Sequence, residues 1–247
     1  MDETPLPHEL PGTLPGGFIN QVVRVGDTVR RSPAPTAQRA AFTRELLELF
    51  EERGWGGAPR YRGVDEQGRE VLEYVEGETD LPLSDARLAR VAELVREFHD
   101  LTAGSSLAGA HEVVCHNDLS PRNTVYADGL PGLPVALIDW DLAAPGDRIH
   151  DVAHLAWQYL DLGPRVSDVG DAARRITLVC DAYGLDDRDG IVRTILWWQD
   201  RCRRGIDKAA DLGDPAMTAL RERGVVDDVH AAYVWVSAHA FELAAKL

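Results

Sequence analysis

The alternation of apolar and polar positions divides the chain into a strand-rich beginning and a helix-rich remainder. Residues 1 to 17 carry Pro5, Pro7, Pro11 and Pro15 with Gly12, Gly16 and Gly17, too many breaks for a helix. The run from Asn20 to Val25, a Gly26-Asp27 turn, and Thr28 to Arg31 predict a hairpin of two short strands. Between Thr36 and Arg53 the apolar residues Phe42, Leu46, Leu49 and Phe50 recur at helical spacing, and Gly54 ends the run. Tyr61 to Val64, the turn Asp65-Glu66-Gln67-Gly68, and Arg69 to Val75 predict a second hairpin. From Ser84, a candidate N-cap, Leu88, Val91, Leu94, Val95 and Phe98 share one helix face, and His99 reads as a histidine facing the helix dipole. Beyond Val152, helical runs alternate with Gly/Asp turns. The aromatics Trp157, Tyr159, Trp197, Trp198, Tyr233 and Trp235 are expected in the core, the alternative being the lining of a pocket.

One stretch in the helical half does not follow the helical pattern. Val113 and Val114 lead through Cys115 into His116-Asn117-Asp118-Leu119-Ser120-Pro121-Arg122-Asn123, which spells His-x-Asp-x-x-x-x-Asn. A carboxylate and an amide at this spacing are what phosphoryl transfer requires: one to orient or accept the proton of an acceptor hydroxyl, the other to hold a cation without adding charge. Sixteen residues after Asn123, the apolar run Val135 to Ile138 ends in Asp139-Trp140-Asp141. A carboxylate at the end of a buried strand needs a partner, and a divalent cation is the obvious one. Val125-Tyr126 and Val135 to Ile138, separated by a turn segment, are expected to form a hairpin that returns Asp139 to Asn123. Asp151, in the loop leading to the next helix, reads as an N-cap.

His116 to Asn123 followed by Ile138-Asp139-Trp140-Asp141 resembles the signature of the aminoglycoside phosphotransferases and choline-kinase-like phosphotransferases, relatives of protein kinases. The resemblance implies an α+β, two-lobed kinase-like fold, with a small antiparallel-sheet lobe over residues 1–77 ending in a hinge and a mainly helical lobe over 78–247. It implies a catalytic role for Asp118, metal ligation by Asn123 and Asp139, and Mg²⁺ with ATP or GTP as co-substrate. Gly16 and Gly17 would approach the nucleotide phosphates, and Glu73, Tyr74 and Val75 would meet the base through their main chain. Kinases carry a lysine on the third strand. This hairpin has none, and Arg30 is the cation in the matching position, where a guanidinium grips phosphate with a different geometry.

Composition narrows the acceptor. Lys and Arg total 26 against 41 Asp and Glu, a net charge of −15, which argues against a nucleic-acid or anionic-membrane partner and is compatible with a cationic small molecule. Ser120 where protein kinases carry lysine, and the short path from Asp139 to Asp151, also favour a small acceptor such as an aminoglycoside or another antibiotic. A choline- or sugar-like metabolite, a nucleotide-binding protein without turnover and a metal-dependent phosphoesterase are the alternatives. Cys115, Cys180 and Cys202 lack ligand or disulfide spacing and read as reduced small hydrophobes. No leader pattern or membrane-length apolar run occurs, so a cytoplasmic location is expected.

Overall fold

The computed structural model describes residues 12–13, 22–32, 36–129, 132–245 and 247. Five antiparallel strands form the first sheet, in the order β1-β2-β3-β5-β4: β1 Gly12–Thr13, β2 Val23–Val25, β3 Thr28–Arg31, β4 Tyr61–Val64 and β5 Glu70–Glu73. The expected hairpin is β2–β3, turning at Gly26 and Asp27; Asn20 and Gln21 lie outside the described residues, as do Gly16 and Gly17. The second hairpin is β4–β5; β5 ends at Glu73, short of Val75, and the Tyr74 N–H donates to the Asp27 carbonyl at 2.8 Å in continuation of the β3–β5 register.

Helix α1, Ala37–Glu52, connects β3 to β4 and is capped by the Thr36 hydroxyl, which accepts from the Arg39 N–H. It buries Thr43, Leu46, Leu47 and Phe50 and turns its acids outward. Phe50, Trp55, Phe98 and Trp140 then meet edge to face, with ring centroids 4.8 to 6.3 Å apart. That aromatic cluster is part of one continuous apolar core running from Leu72 under the sheet to Ile176 and Val236 among the later helices.

The rest is mainly helical: α2 Asp85–Thr102, α3 Arg148–Tyr159, α4 Val169–Tyr183, α5 Ile191–Asp211, α6 Pro215–Glu222, α7 Val225–Ala238 and α8 Ala240–Ala244. Ser84 caps α2 through the Arg87 N–H, as its position suggested. Two small antiparallel sheets interrupt the helices: β6 Glu78–Thr79 with β8 Thr124–Tyr126 and β9 Pro134–Leu137, and β7 Val113–Cys115 with β10 Ala144–Gly146. Between β5 and β6 the chain passes beneath β8 at Gly77, whose φ is 141° and where an added Cβ would lie 2.2 Å from the Tyr126 carbonyl oxygen.

One expectation is corrected. Asp151 is not the N-cap of α3: Asp147 holds that position without a side-chain bond, while Asp151 sits in the first turn, fully buried. His99 lies in the last turn of α2, where the sequence placed it, and its ring is also fully buried. Both belong to the network that holds the loop from His116 to Asn123. Of the aromatics expected in the core, Trp157, Tyr159 and Trp198 are buried, whereas Trp197 is 42% exposed and stacks on His150.

Candidate active site

The β8–β9 hairpin does the converging. Its first strand starts immediately after Asn123 and its second ends immediately before Ile138, and the Ile138 N–H donates to the Asn123 carbonyl at 2.9 Å. Asn123 in turn donates from Nδ2 to the Asp118 carboxylate at 2.9 Å and to the Asp118 carbonyl at 2.8 Å. The amide nitrogen is thus occupied, and the amide oxygen is the atom left for a cation. Asp139 follows Ile138 with φ 65° and ψ 63°, and Asn117 also has a left-handed φ of 64°. Asp and Asn are the non-glycine residues that tolerate this region best.

Buried groups hold these turns. The His116 ring is enclosed; its Nε2 donates to the Ile138 carbonyl at 3.1 Å and its Nδ1 accepts the Asp118 N–H at 3.3 Å. Burial holds His116 neutral, with a pKa lowered to about 4. The Asp151 carboxylate accepts the His116 N–H at 2.6 Å and the Asn117 N–H at 3.0 Å. Burial pushes its pKa up, but the hydrogen bonds from His99 and the Asn117 N–H outweigh it, and Asp151 stays below the usual carboxylate range. Trp140, 1% exposed, donates to the Leu137 carbonyl at 2.9 Å and pins the segment between Asp139 and Asp141. Tyr159 donates to the Ser120 carbonyl at 2.9 Å from the opposite side of the loop.

Electrostatically the site is overloaded with negative charge. Burial first, then the charge of Asp139 and more weakly that of Asp141, raise Asp118 to about 7, with the Asn123 hydrogen bond opposing them. Asp139 is also raised, by burial and by Asp141 against the attraction of Arg31. Three carboxylates, Glu70, Asp139 and Asp141, thus face one guanidinium, and Asp118 feels the charge of the latter two. An amide oxygen and a carboxylate in this surplus of negative charge are the hard oxygen donors a Mg²⁺ ion takes, so the residues fit that ion.

That guanidinium belongs to Arg31, which the sequence reading passed over. Arg31 lies 2.7 Å from Asp141, 3.6 Å from Asp139 and 2.9 Å from Glu70. Arg30 projects to the other face of the strand, 3.8 Å from Asp65. Glu45 and Glu48 of α1 are both exposed. In the segment expected to form a hinge, the Glu73 N–H is taken by the Arg60 carbonyl and the Tyr74 N–H by the Asp27 carbonyl, both at 2.8 Å. Among the described residues, Val75 is therefore the member of that trio whose N–H is left for a ligand. The Cys202 thiol of α5 is pushed up to about 11, by burial first and then by the Asp118 charge.

The profile of the phosphotransferase enzyme family matches residues 106–185, the segment that holds the loop, the hairpin and Asp151. The trifolitoxin immunity protein of Rhizobium leguminosarum bv. trifolii is 31% identical over 210 residues, covering 74% of this chain and 78% of that protein. The chain belongs to the phosphotransferase enzyme family.

Solved structures agree on the fold of this phosphotransferase. The GDP complex of wild-type aminoglycoside 2′-phosphotransferase-IIIa aligns with a TM-score of 0.60 at 18% identity, over 94% of each chain. A macrolide 2′-phosphotransferase from Brachybacterium faecium aligns at 0.60 and 17% identity over 90% of each chain. An ethanolamine kinase from Plasmodium vivax aligns at 0.63 and 11% identity, over 96% of this chain and 83% of that one. At such identities the likeness is one of architecture: an N-terminal antiparallel sheet followed by a mainly helical part. Among the described residues, no helix is long and apolar enough to cross a membrane.

Proposed function

We propose that this phosphotransferase is a small-molecule kinase that moves the γ-phosphoryl group of ATP or GTP onto a hydroxyl of a small, cationic antibiotic. The observation that carries the reading is the hydrogen-bonded union of Asp118 and Asn123 with the strand end that bears Asp139. Asp118, at about 7, is poised to accept the hydroxyl proton near neutral pH. Asn123 and Asp139 would hold Mg²⁺, which when bound supplies charge neutralisation on the phosphates. The hinge N–H of Val75, with the carbonyls of Glu73 and Val75, would seat the base between a small lobe, 1–77, and a large lobe, 78–247. Reliance on nucleoside triphosphate fits a cytoplasmic enzyme.

The immunity relative favours an antibiotic acceptor over a choline- or sugar-like metabolite, since its name is that of a protein conferring resistance to a toxin. The test is a transfer screen with labelled ATP and GTP across antibiotics, aminoalcohols and sugars, run with wild type and Asp118→Asn. Transfer to one acceptor class by wild type alone supports the reading. Phosphate release from monoesters without nucleotide would replace it with a phosphoesterase, and triphosphate binding without transfer to any acceptor would replace it with a nucleotide-binding pseudoenzyme.

A further inference from the structure

We infer that Arg31 is the phosphate-gripping cation of the small lobe and that Glu70, supplied by the neighbouring strand, is the acid that aims it, with helix α1 taking no part. The inference rests on the kinase reading above and adds the residue pair that meets the nucleotide's phosphates.

Strand parity sets the pair. Val29 and Arg31 share the face of β3 that turns to the core, and the register places Arg31 directly opposite Glu70 on β5. Arg31 is 6% exposed and Glu70 5%. Nε and Nη2 of Arg31 both reach Oε2 of Glu70 at 2.9 Å, and Nη2 also lies 2.7 Å from Asp141. The third nitrogen, Nη1, is 3.6 Å from Asp139, too far for a hydrogen bond. One edge of the guanidinium is therefore clamped, while Nη1 faces Asp139 with protons to give. A phosphate drawn to Asn123 and Asp139 would arrive beside it.

Protein kinases aim the strand cation with a glutamate from the helix that follows. Helix α1 offers none here. Its acids, Glu45, Glu48, Glu51 and Glu52, are all exposed; Glu48 lies 4.0 Å from Arg44 and Glu51 3.4 Å from Arg62. Its inward face is Thr43, Leu46, Leu47 and Phe50. A cross-strand acid also explains the arginine. Only a planar fork can turn Nε and Nη2 to a carboxylate on the adjacent strand while presenting Nη1 elsewhere, and a lysine has a single nitrogen to divide. The grip is thereby fixed within the sheet and does not depend on how α1 is seated. Arg30 accepts no such part, being held at Thr28 Oγ1, 2.5 Å away, and near Asp65 on the other face.

Titration calorimetry on the full chain with MgATP and MgGTP, and with adenosine and guanosine, tests this. The variants are Glu70→Gln and the double replacement Arg31→Met/Glu70→Leu, which leaves neither member of the pair buried without its partner. Their melting temperatures without nucleotide confirm folding. For the better-bound triphosphate, the double variant is expected to raise Kd at least ten-fold and Glu70→Gln at least three-fold, with the matching nucleoside unchanged within two-fold. A merely structural role would weaken nucleoside and triphosphate together. Arg30→Ala, Glu45→Ala and Glu48→Ala are expected to bind triphosphate as wild type does. Unchanged triphosphate affinity in the folded double variant, or an equal loss in Arg30→Ala or either α1 variant, overturns the inference while leaving the kinase reading intact. A wild type that binds neither triphosphate removes both.

Discussion

His99 donates from Nε2 to the Asp151 carboxylate at 3.1 Å, in a place closed to solvent on every side. This bond joins α2 to α3 directly behind the catalytic loop. With Asp151 accepting, Nδ1 of His99 is the acceptor for the Tyr183 hydroxyl at 2.8 Å, and Tyr183 accepts from Arg148 at 3.1 Å. All donors of the chain point the same way, from a partly exposed guanidinium to a buried carboxylate. Burial lowers the His99 pKa against the pull of Asp151, so the imidazole is neutral and the tautomer is set by its two partners.

Asp151→Asn should therefore be costly. An amide has one oxygen to offer the His116 N–H, the Asn117 N–H and the His99 N–H, which the carboxylate now accepts together. At least one buried donor is left unpaired, a loss of ~2–4 kcal/mol. Urea unfolding should show it, and kcat should fall by on the order of a hundred-fold as the backbone beneath Asp118 relaxes. Stability within 0.5 kcal/mol of wild type would mean that Asp151 does not anchor the loop.

Gly77→Ala should destabilise the link between the two parts of the chain. The left-handed φ and the 2.2 Å approach to the Tyr126 carbonyl leave no room for a methyl group, so the crossing beneath β8 must shift. The loss should be ~2–3 kcal/mol, and nucleotide affinity should fall with it because Val75 lies two residues upstream.

His154 gives a pH-dependent prediction. It is 5% exposed, packed between Trp157 and Trp198 at 5.6 and 4.7 Å, and its Nδ1 has no hydrogen-bond partner among the described residues. Burial lowers its pKa from 6.5 to about 4. The unfolded chain thus takes up this proton first, and the contribution of the neutral ring to stability, complete above pH 6.5, is lost as pH falls toward 4. His154→Phe removes that dependence. The variant should gain on wild type by ~1 kcal/mol per pH unit across that window, read from melting curves at several pH values.

Much of this was legible before any coordinates. The loop and the strand end announced themselves because their chemistry is local: His116, Asp118, Asn123 and Asp139 lie within one short stretch joined by one hairpin, and apolar runs with a turn between them are enough to foresee that hairpin. Arg31 was missed for want of strand parity. Val29 is the apolar neighbour that marks the inward face, so Arg31, two positions on, should have been preferred to Arg30. His99 and Asp151 could not be paired from the sequence. They are 52 residues apart on different helices, and each has an ordinary local explanation that competes with the buried one.

Asp118→Asn should separate catalysis from stability. Loss of the base should lower kcat by at least a thousand-fold with little change in nucleotide affinity, since Asp118 serves the acceptor hydroxyl. Stability should move the other way. The carboxyl ionises at about 7 in the folded chain against 3.8 when unfolded, because burial and the charge of Asp139 oppose ionisation. Its contribution is therefore present below pH 3.8 and lost as pH rises through 7, where the folded chain must carry a charge it resists. Asparagine carries none and leaves Asp139 and Asp141 with one fewer like charge nearby. At pH 8 the variant should be more stable than wild type by ~2 kcal/mol, and the gain should vanish toward pH 4. Saturating Mg²⁺ should shrink the gain at pH 8, because a cation at Asn123 and Asp139 would offset the same repulsion. An inactive variant with no gain at any pH would show that Asp118 does not share a cleft with Asp139 and Asp141.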